Sequence, residues 1–103
     1  MYDIYLMLTK SGGRIGKITT ATGTYTVLVT DHTVICNSAT AFTVTLPTAV
    51  VGQIFRIKNI GAGTVTVQGA GGTDTIDGLT SQSFVTWDCM EVQCYALTAW
   101  GIM

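Results

Sequence analysis

Hydrophobic residues alternate with threonine and other polar residues over short stretches of the chain, and this two-residue period is typical of β-strands. The clearest example is residues 41–46, in which Phe42, Val44 and Leu46 would face one way and the two intervening threonines the other. Strong helix formers do not recur at the 3.6-residue spacing of a helix. The pattern predicts short strands at residues 24–29, 33–36, 41–46, 53–59, 64–68, 83–87, 90–95 and 99–103.

Turn-forming residues separate the predicted strands. Pro47, the only proline, ends the strand before it because proline has no N–H to donate to a sheet. A turn at residues 60–63 predicts a hairpin between the strands at 53–59 and 64–68, and Asp77-Gly78 forms another turn. Short strands at a spacing of roughly 8–12 residues predict an all-β fold, a small antiparallel β-sandwich or barrel of about eight strands.

The first twenty residues have a different pattern. In residues 1–8, Tyr2, Ile4, Leu6 and Leu8 would share one face of a strand, and the opposite face is also mostly apolar. Two interpretations fit equally: a first strand of the domain, or an arm that reaches a neighbouring subunit or a docking surface. These four residues are therefore candidate subunit contacts. We divide the chain into an N-terminal strand or arm with a glycine-containing joint, residues 1–20, and a β-sandwich module, residues 21–103.

The composition indicates an oligomer. The chain has 103 residues, enough for one domain, of which 48% are hydrophobic and only 11% are charged. Soluble domains usually carry about 25% charged residues. A lone domain of this size hides only about two-thirds of its unfolded surface, so we expect part of the apolar surface to be buried against other chains.

Charge and cysteine usage exclude several partner classes. The net charge is −1 and the five basic residues are scattered, so no nucleic-acid partner is expected. Residues 33–55 lack charged side chains, but their alternating threonines and Pro47 argue against a membrane helix, and the N-terminus is no signal peptide. Cys36, Cys89 and Cys94 are an odd number, and the last two would lie on opposite faces of one strand, so we expect reduced thiols.

No constellation of residues indicates catalysis, a metal or a cofactor. His32 is the only histidine and has no nucleophile at a recognisable spacing, so we interpret it as a solvated turn residue. Asp74 and Asp77 could be compared with a glycosidase pair, but both are expected beside an exposed turn rather than in a groove. The aromatic residues that could stack on sugars are more often core or interface residues. They are Tyr25, Trp87, Tyr95 and Trp100.

A series of short motifs follows one another between Tyr25 and Ile102. In order, they are the strand Phe42-Thr43-Val44-Thr45-Leu46-Pro47, the strand Phe55-Arg56-Ile57-Lys58-Asn59 after Gly52, the segment Gly61-Ala62-Gly63-Thr64-Val65-Thr66-Val67, the turn Thr75-Ile76-Asp77-Gly78 and the closing Trp100-Gly101-Ile102. Together they resemble a β-rich module found at the C-termini of tailed-bacteriophage tail fibres and spikes, and the resemblance covers about three-quarters of the chain.

The resemblance implies a structural role in a virion. Modules of this kind assemble as homotrimers and can present receptor-binding surfaces, and the resemblance carries over no catalytic, cofactor-binding or metal-binding residue. This chain departs from the pattern in having no shaft before the module. We therefore expect a non-enzymatic protein on the particle exterior, assembled in the host cytoplasm. The favoured form is a capsid decoration (cement) protein on the major capsid protein. The alternative is a tail-fibre or spike tip that binds a host receptor or surface glycan.

Overall fold

A computed structural model describes residues 16–103, and this part of the chain folds into ten β-strands in two sheets. The strands are β1 (Ile18–Ala21), β2 (Tyr25–Thr26), β3 (Thr33–Cys36), β4 (Phe42–Thr45), β5 (Ile54–Asn59), β6 (Val65–Gln68), β7 (Thr75–Ile76), β8 (Ser81–Phe84), β9 (Cys89–Ala96) and β10 (Ala99–Ile102). One 3₁₀ turn covers Ala70–Gly72. The large sheet has the order β1-β3-β5-β9-β10-β7 and the small sheet the order β2-β4-β6-β8. The all-β prediction is confirmed.

The first six strands stack as three rungs in a solenoid-like arrangement. Successive strands alternate between the sheets, so that β1 with β2, β3 with β4, and β5 with β6 each form one rung. Neighbouring rungs pair in parallel: in the large sheet Ile18 lies opposite Thr33, which lies opposite Arg56. In the small sheet Phe42 lies opposite Val65. The chain therefore passes from one sheet to the other at two corners in each rung.

The remaining strands close the third rung. In the small sheet β8 pairs antiparallel with β6. In the large sheet β9 pairs antiparallel with β5, β10 pairs antiparallel with β9, and β7 pairs parallel with β10. The C-terminal strands therefore pair with both strands of the third rung and cover that end of the stack.

The interior between the two sheets is a single apolar core. The predicted alternation of β4 and β5 is confirmed: Val44, Phe55 and Ile57 are buried, whereas Arg56 is exposed. Trp100 is fully buried, and its ring centroid lies 5.8 Å from that of Phe55. Within residues 16–103, no helix is long and apolar enough to cross a membrane.

The predicted strand pairing is wrong in two respects. The antiparallel arrangement does not hold for the three rungs, which pair in parallel. The predicted hairpin between 53–59 and 64–68 does not form, because residues 60–64 turn the corner between the sheets and place β5 and β6 in different sheets. Parallel pairing follows from this geometry, since every strand in one sheet returns after a full rung.

Several strand boundaries also differ from the prediction. The strand expected at 83–87 is Ser81–Phe84, because Trp87 lies in a turn with φ +71°. The strands β1 and β7 were not predicted. The candidate contacts Tyr2, Ile4, Leu6 and Leu8 lie outside the described residues, so the division of the chain at residue 20 stays a prediction.

Candidate functional site

The residues considered for catalysis are not brought together as a catalytic site. His32 is half-buried, and its Nδ1 lies 2.9 Å from the Thr33 hydroxyl. Asp74 is buried rather than beside an exposed turn as predicted, whereas Asp77 is exposed and accepts a hydrogen bond of 3.0 Å from the Ile102 amide. Among the described residues, no group of three or more His, Cys, Asp or Glu side chains could hold a metal ion.

Asp31 is a buried carboxylate in the turn between the first two rungs. It accepts hydrogen bonds from the Thr19 hydroxyl at 2.7 Å, the Tyr25 hydroxyl at 2.5 Å and the Leu28 amide at 2.9 Å. The Lys17 ammonium lies 3.5 Å away. Burial alone would raise the pKa of Asp31, but these donors together outweigh it and hold the pKa below its usual value. The carboxylate in turn raises the pKa of Tyr25. This network is structural: its groups are bonded to one another.

The Asn59 side chain makes hydrogen bonds to backbone groups at the corner where the chain leaves the large sheet after β5. Its side chain is fully buried. The amide nitrogen donates to the carbonyl of Gly63 at 2.9 Å and to that of Phe84 at 3.4 Å, and the amide oxygen accepts from the Gly61 N–H at 3.0 Å. Asn59 therefore holds the corner loop against the turn that follows β8.

The three cysteine thiols are free. Cys94 is buried and Cys89 exposed, so the two lie on opposite faces of β9, as predicted. Burial raises the pKa of the Cys36 thiol to about 11, which disfavours the reactive thiolate.

The outer face of the small sheet is neutral and polar. Its side chains bond to each other: the Thr66 and Ser83 hydroxyls lie 3.0 Å apart, and the Gln68 amide donates to the Thr45 hydroxyl at 3.0 Å. The residues of this face are Thr26, Thr43, Thr45, Thr66, Gln68, Ser81 and Ser83.

The outer face of the large sheet carries charge and a shallow groove. Arg56 Nε lies 3.2 Å from a carboxylate oxygen of Glu91 on the adjacent strand. An open groove of about 440 Å³ runs beside this pair between Thr33 and Met103. Both members of the ion pair are partly exposed, so it contributes at most about 1 kcal/mol to stability.

Seven exposed apolar side chains lie at the corner where the chain enters the large sheet. They come from three segments: the turn before β3, the turn before β5 with the first residue of that strand, and the end of β9 with the turn after it. We call this surface the apolar corner; its residues are Leu28, Val29, Val50, Val51, Ile54, Tyr95 and Leu97.

Hydrogen bonds hold the three segments of the apolar corner side by side. The Gln53 side chain donates to the Val29 carbonyl at 3.2 Å, which joins the first turn to the second. The Gly52 amide donates to the Cys94 carbonyl at 2.7 Å and the Gln93 side chain donates to the Gly52 carbonyl at 3.2 Å, which join the second turn to the end of β9. The three segments of the apolar corner therefore lie next to one another along the direction in which the rungs stack.

A second exposed apolar feature is Trp87, which lies in the turn after β8. Its side chain is 67% exposed, and its φ of +71° is unusual for a bulky residue. The Trp87 amide donates to the Asn59 carbonyl at 2.7 Å, and the Lys58 ammonium donates to the Trp87 carbonyl. Both backbone groups of Trp87 are therefore hydrogen-bonded, and its indole is exposed to solvent.

One feature of the sequence indicates the apolar corner: apolar residues stand in its turns. Turns are usually polar, but Val50 and Val51 lie in a turn, and Leu28 and Val29 lie in another that the alternation assigned to a strand. Of the aromatic residues considered for sugar stacking, Trp87 and Tyr95 are exposed, and Trp100 is in the core. Comparisons with protein-family models, with curated proteins and with solved structures found no match.

Proposed function

We propose that this chain is a non-enzymatic structural protein on the exterior of a bacteriophage virion, in the form of a homotrimeric capsid decoration protein bound to the major capsid protein. The observation that carries the proposal is the apolar corner. Seven exposed apolar side chains lie on its adjacent segments, and large exposed apolar patches usually mark protein–protein interfaces. A stacked two-sheet body that presents apolar surface suits a subunit whose task is to bind other subunits.

The condition of the polar groups supports a structural role. The buried carboxylate of Asp31 accepts bonds from the first rung and from the turn that follows it, and the Arg56–Glu91 pair lies within the large sheet. Activated catalytic groups usually have free, perturbed side chains in a cleft. The motif order that resembles fibre and spike modules connects this role to a phage particle.

Electron microscopy of virions tests the location. Gold-labelled antibody against this chain is expected to decorate the capsid surface of particles from the phage that encodes it. Label at the tail alone would overturn the decoration role in favour of the fibre role, and intact particles without label would overturn both. Purified chain should also co-sediment with particles stripped of it.

The exposed indole of Trp87 favours a second candidate function, the tip of a tail fibre or spike that binds a host receptor or surface glycan. An exposed indole is a common platform for sugar rings. The test is binding of the purified chain to host cells and to isolated surface polysaccharide. Trp87→Ala should abolish binding, whereas Val85→Ala, at another exposed position in the same turn, should retain it. Binding that survives Trp87→Ala would remove the support for this function.

A further inference from the structure

We propose that the apolar corner is the surface through which copies of this chain associate, with the corners of the copies facing a common axis. The inference rests on the proposed homotrimer and names the residues that form its interface. The proposed binding partner of the apolar corner is a second copy of the chain, and the shape of the surface is the first observation that supports it. The three segments follow the stacking direction of the rungs, so copies with parallel stacks can align their corners over the full length.

The charge distribution of the apolar corner favours its own copy as partner. None of its seven side chains is charged at neutral pH. The nearest acid in the first turn, Asp31, is buried and bonded to Thr19 and Tyr25, and the ammonium of Lys17 lies 3.5 Å from it. Arg56 and Glu91, further along the large sheet, also form an ion pair. Identical copies would therefore meet through uncharged side chains whose charged neighbours are paired within each chain, which limits the repulsion that opposes self-association.

Several backbone groups in the turns of the apolar corner are already bonded within the chain, which argues against an extended peptide as the occupant. The amides of Asp31, Gly52 and Gln53 donate to the carbonyls of Leu28, Cys94 and Val50, at 2.9, 2.7 and 3.0 Å. A peptide that adds to a sheet needs free N–H and C=O groups along an edge. Here several of these groups are already used, so contact is expected mainly through side chains, as in the apolar centre of a subunit interface.

Charged substitutions in the apolar corner test the inference. Val51→Asp and Leu97→Asp place a carboxylate on two separate segments, at side chains that are 59% and 80% exposed. Neither side chain is part of the core of one chain, so both variants should fold. Val85→Asp is the matched control, because it is the same substitution at 59% exposure in a turn outside the apolar corner. Circular dichroism and thermal unfolding check that each variant is folded.

Sedimentation equilibrium of the purified full chain is the measurement. The wild type and Val85→Asp are expected at three times the 10.9 kDa chain mass. Val51→Asp and Leu97→Asp are expected to raise the dissociation constant at least about tenfold and to approach the mass of one chain at micromolar concentration.

Two outcomes would overturn the inference. If both charged variants keep the trimer mass, the interface lies elsewhere, and the proposed homotrimer stands without this surface. If the wild type is itself one chain in solution, self-association fails together with the homotrimer, while the virion location is still tested separately by the antibody label. If the wild type is a monomer and binds particles, and Val51→Asp does not bind them, then the apolar corner binds a different virion protein.

Discussion

At the scale of single residues, Asp31 is the clearest case of a buried ionised group that stabilises the fold. Its carboxylate accepts three hydrogen bonds and faces Lys17, so that both strands of the first rung and the following turn are bonded to one side chain. Hydrogen bonds to a charged group contribute more than neutral ones, at about 1.5–3 kcal/mol. The network is therefore expected to govern how the first rung responds to acid.

We predict that Asp31→Asn lowers the free energy of unfolding by about 1–3 kcal/mol at neutral pH, because the amide cannot accept all three bonds and leaves a buried donor unpaired. The pKa of Asp31 is lowered in the folded state, so its contribution is complete above the ordinary pKa of about 3.9 and is lost as the pH falls through the folded-state pKa. Urea unfolding between pH 7 and pH 2 should show the difference between wild type and variant shrinking only below about pH 4.

The control for the acid experiment is Asp88→Asn, which removes the same charge from an exposed side chain and should change stability by no more than about 0.5 kcal/mol. A constant difference between the wild type and Asp31→Asn down to pH 2 would contradict the assignment of the ionised form to the folded state.

Asn59 leads to a second prediction at this scale. Asn59→Ala removes one acceptor and one donor group that together serve Gly61, Gly63 and Phe84, and it should cost about 2–3 kcal/mol because those backbone groups are left buried and unpaired. Asn37→Ala is the matched control: Asn37 lies at the equivalent corner one rung earlier, but its side chain is exposed, so about 0.5 kcal/mol or less is expected. Chemical unfolding of both variants measures the contrast, and equal losses would show that the bonds of Asn59 are not what stabilises the corner.

Residue patterns predicted which side chains of a strand face the core, but not which polar groups are buried. Phe55 and Ile57 could be placed inward because alternation is a local property of a strand. Asp31 and Asn59 are buried with hydrogen-bond partners from segments that are distant in sequence, Thr19 for Asp31 and Phe84 for Asn59. No local pattern contains that information.

At the scale of elements, the corners between the sheets require close approach of neighbouring rungs. A Cβ atom on Gly63 would overlap the carbonyl group of Thr40, and the Gly63 amide donates to the Ser38 carbonyl at 2.9 Å. By contrast, a Cβ atom on Gly23, between β1 and β2, would have nothing within 4 Å. The two glycines therefore differ in their surroundings although both lie in turns between the sheets.

We predict that Gly63→Ala destabilises the protein by about 1–3 kcal/mol, because the two backbones must separate to admit a methyl group. Gly23→Ala should be neutral or stabilise by up to about 1 kcal/mol, because it only restricts the unfolded chain. Thermal and urea unfolding of the two variants provide the comparison. A loss in Gly23→Ala as large as that in Gly63→Ala would mean that contact between rungs does not set the cost.

The elements themselves could be predicted better than their partners. Most strands lie within a few residues of their predicted positions, but the pairing was assigned to hairpins because turns such as residues 60–63 look alike in a hairpin and at a corner. A repeat of constant length would have revealed the rungs. Here Ile18 pairs with Thr33 but Thr33 pairs with Arg56, so the rungs differ in length and leave no period in the sequence.

At the scale of the whole molecule, composition indicated surplus apolar surface, and the fold locates much of it at the apolar corner. This location could not be deduced from the sequence, because its three segments are up to about seventy residues apart and meet only when the rungs stack. Overall hydropathy reports how much apolar surface a chain has, whereas the interface depends on which turns the fold places side by side.

The stacked architecture also predicts an order of local opening. In stacked folds each rung contacts only its neighbours, so stability differs along the stack. The strand β1 buries Ala21 alone, whereas β5 buries three residues and is paired on both sides, with β3 and β9. We predict that amides of β1 exchange with deuterium at least about tenfold faster than those of β5 and β9, which corresponds to an opening free energy lower by about 1.4 kcal/mol. Exchange measured by NMR on the folded chain tests this. Equal protection of β1 and β5 would contradict the order. It would require either that the three rungs open as one cooperative unit or that a further segment covers the outer edge of β1.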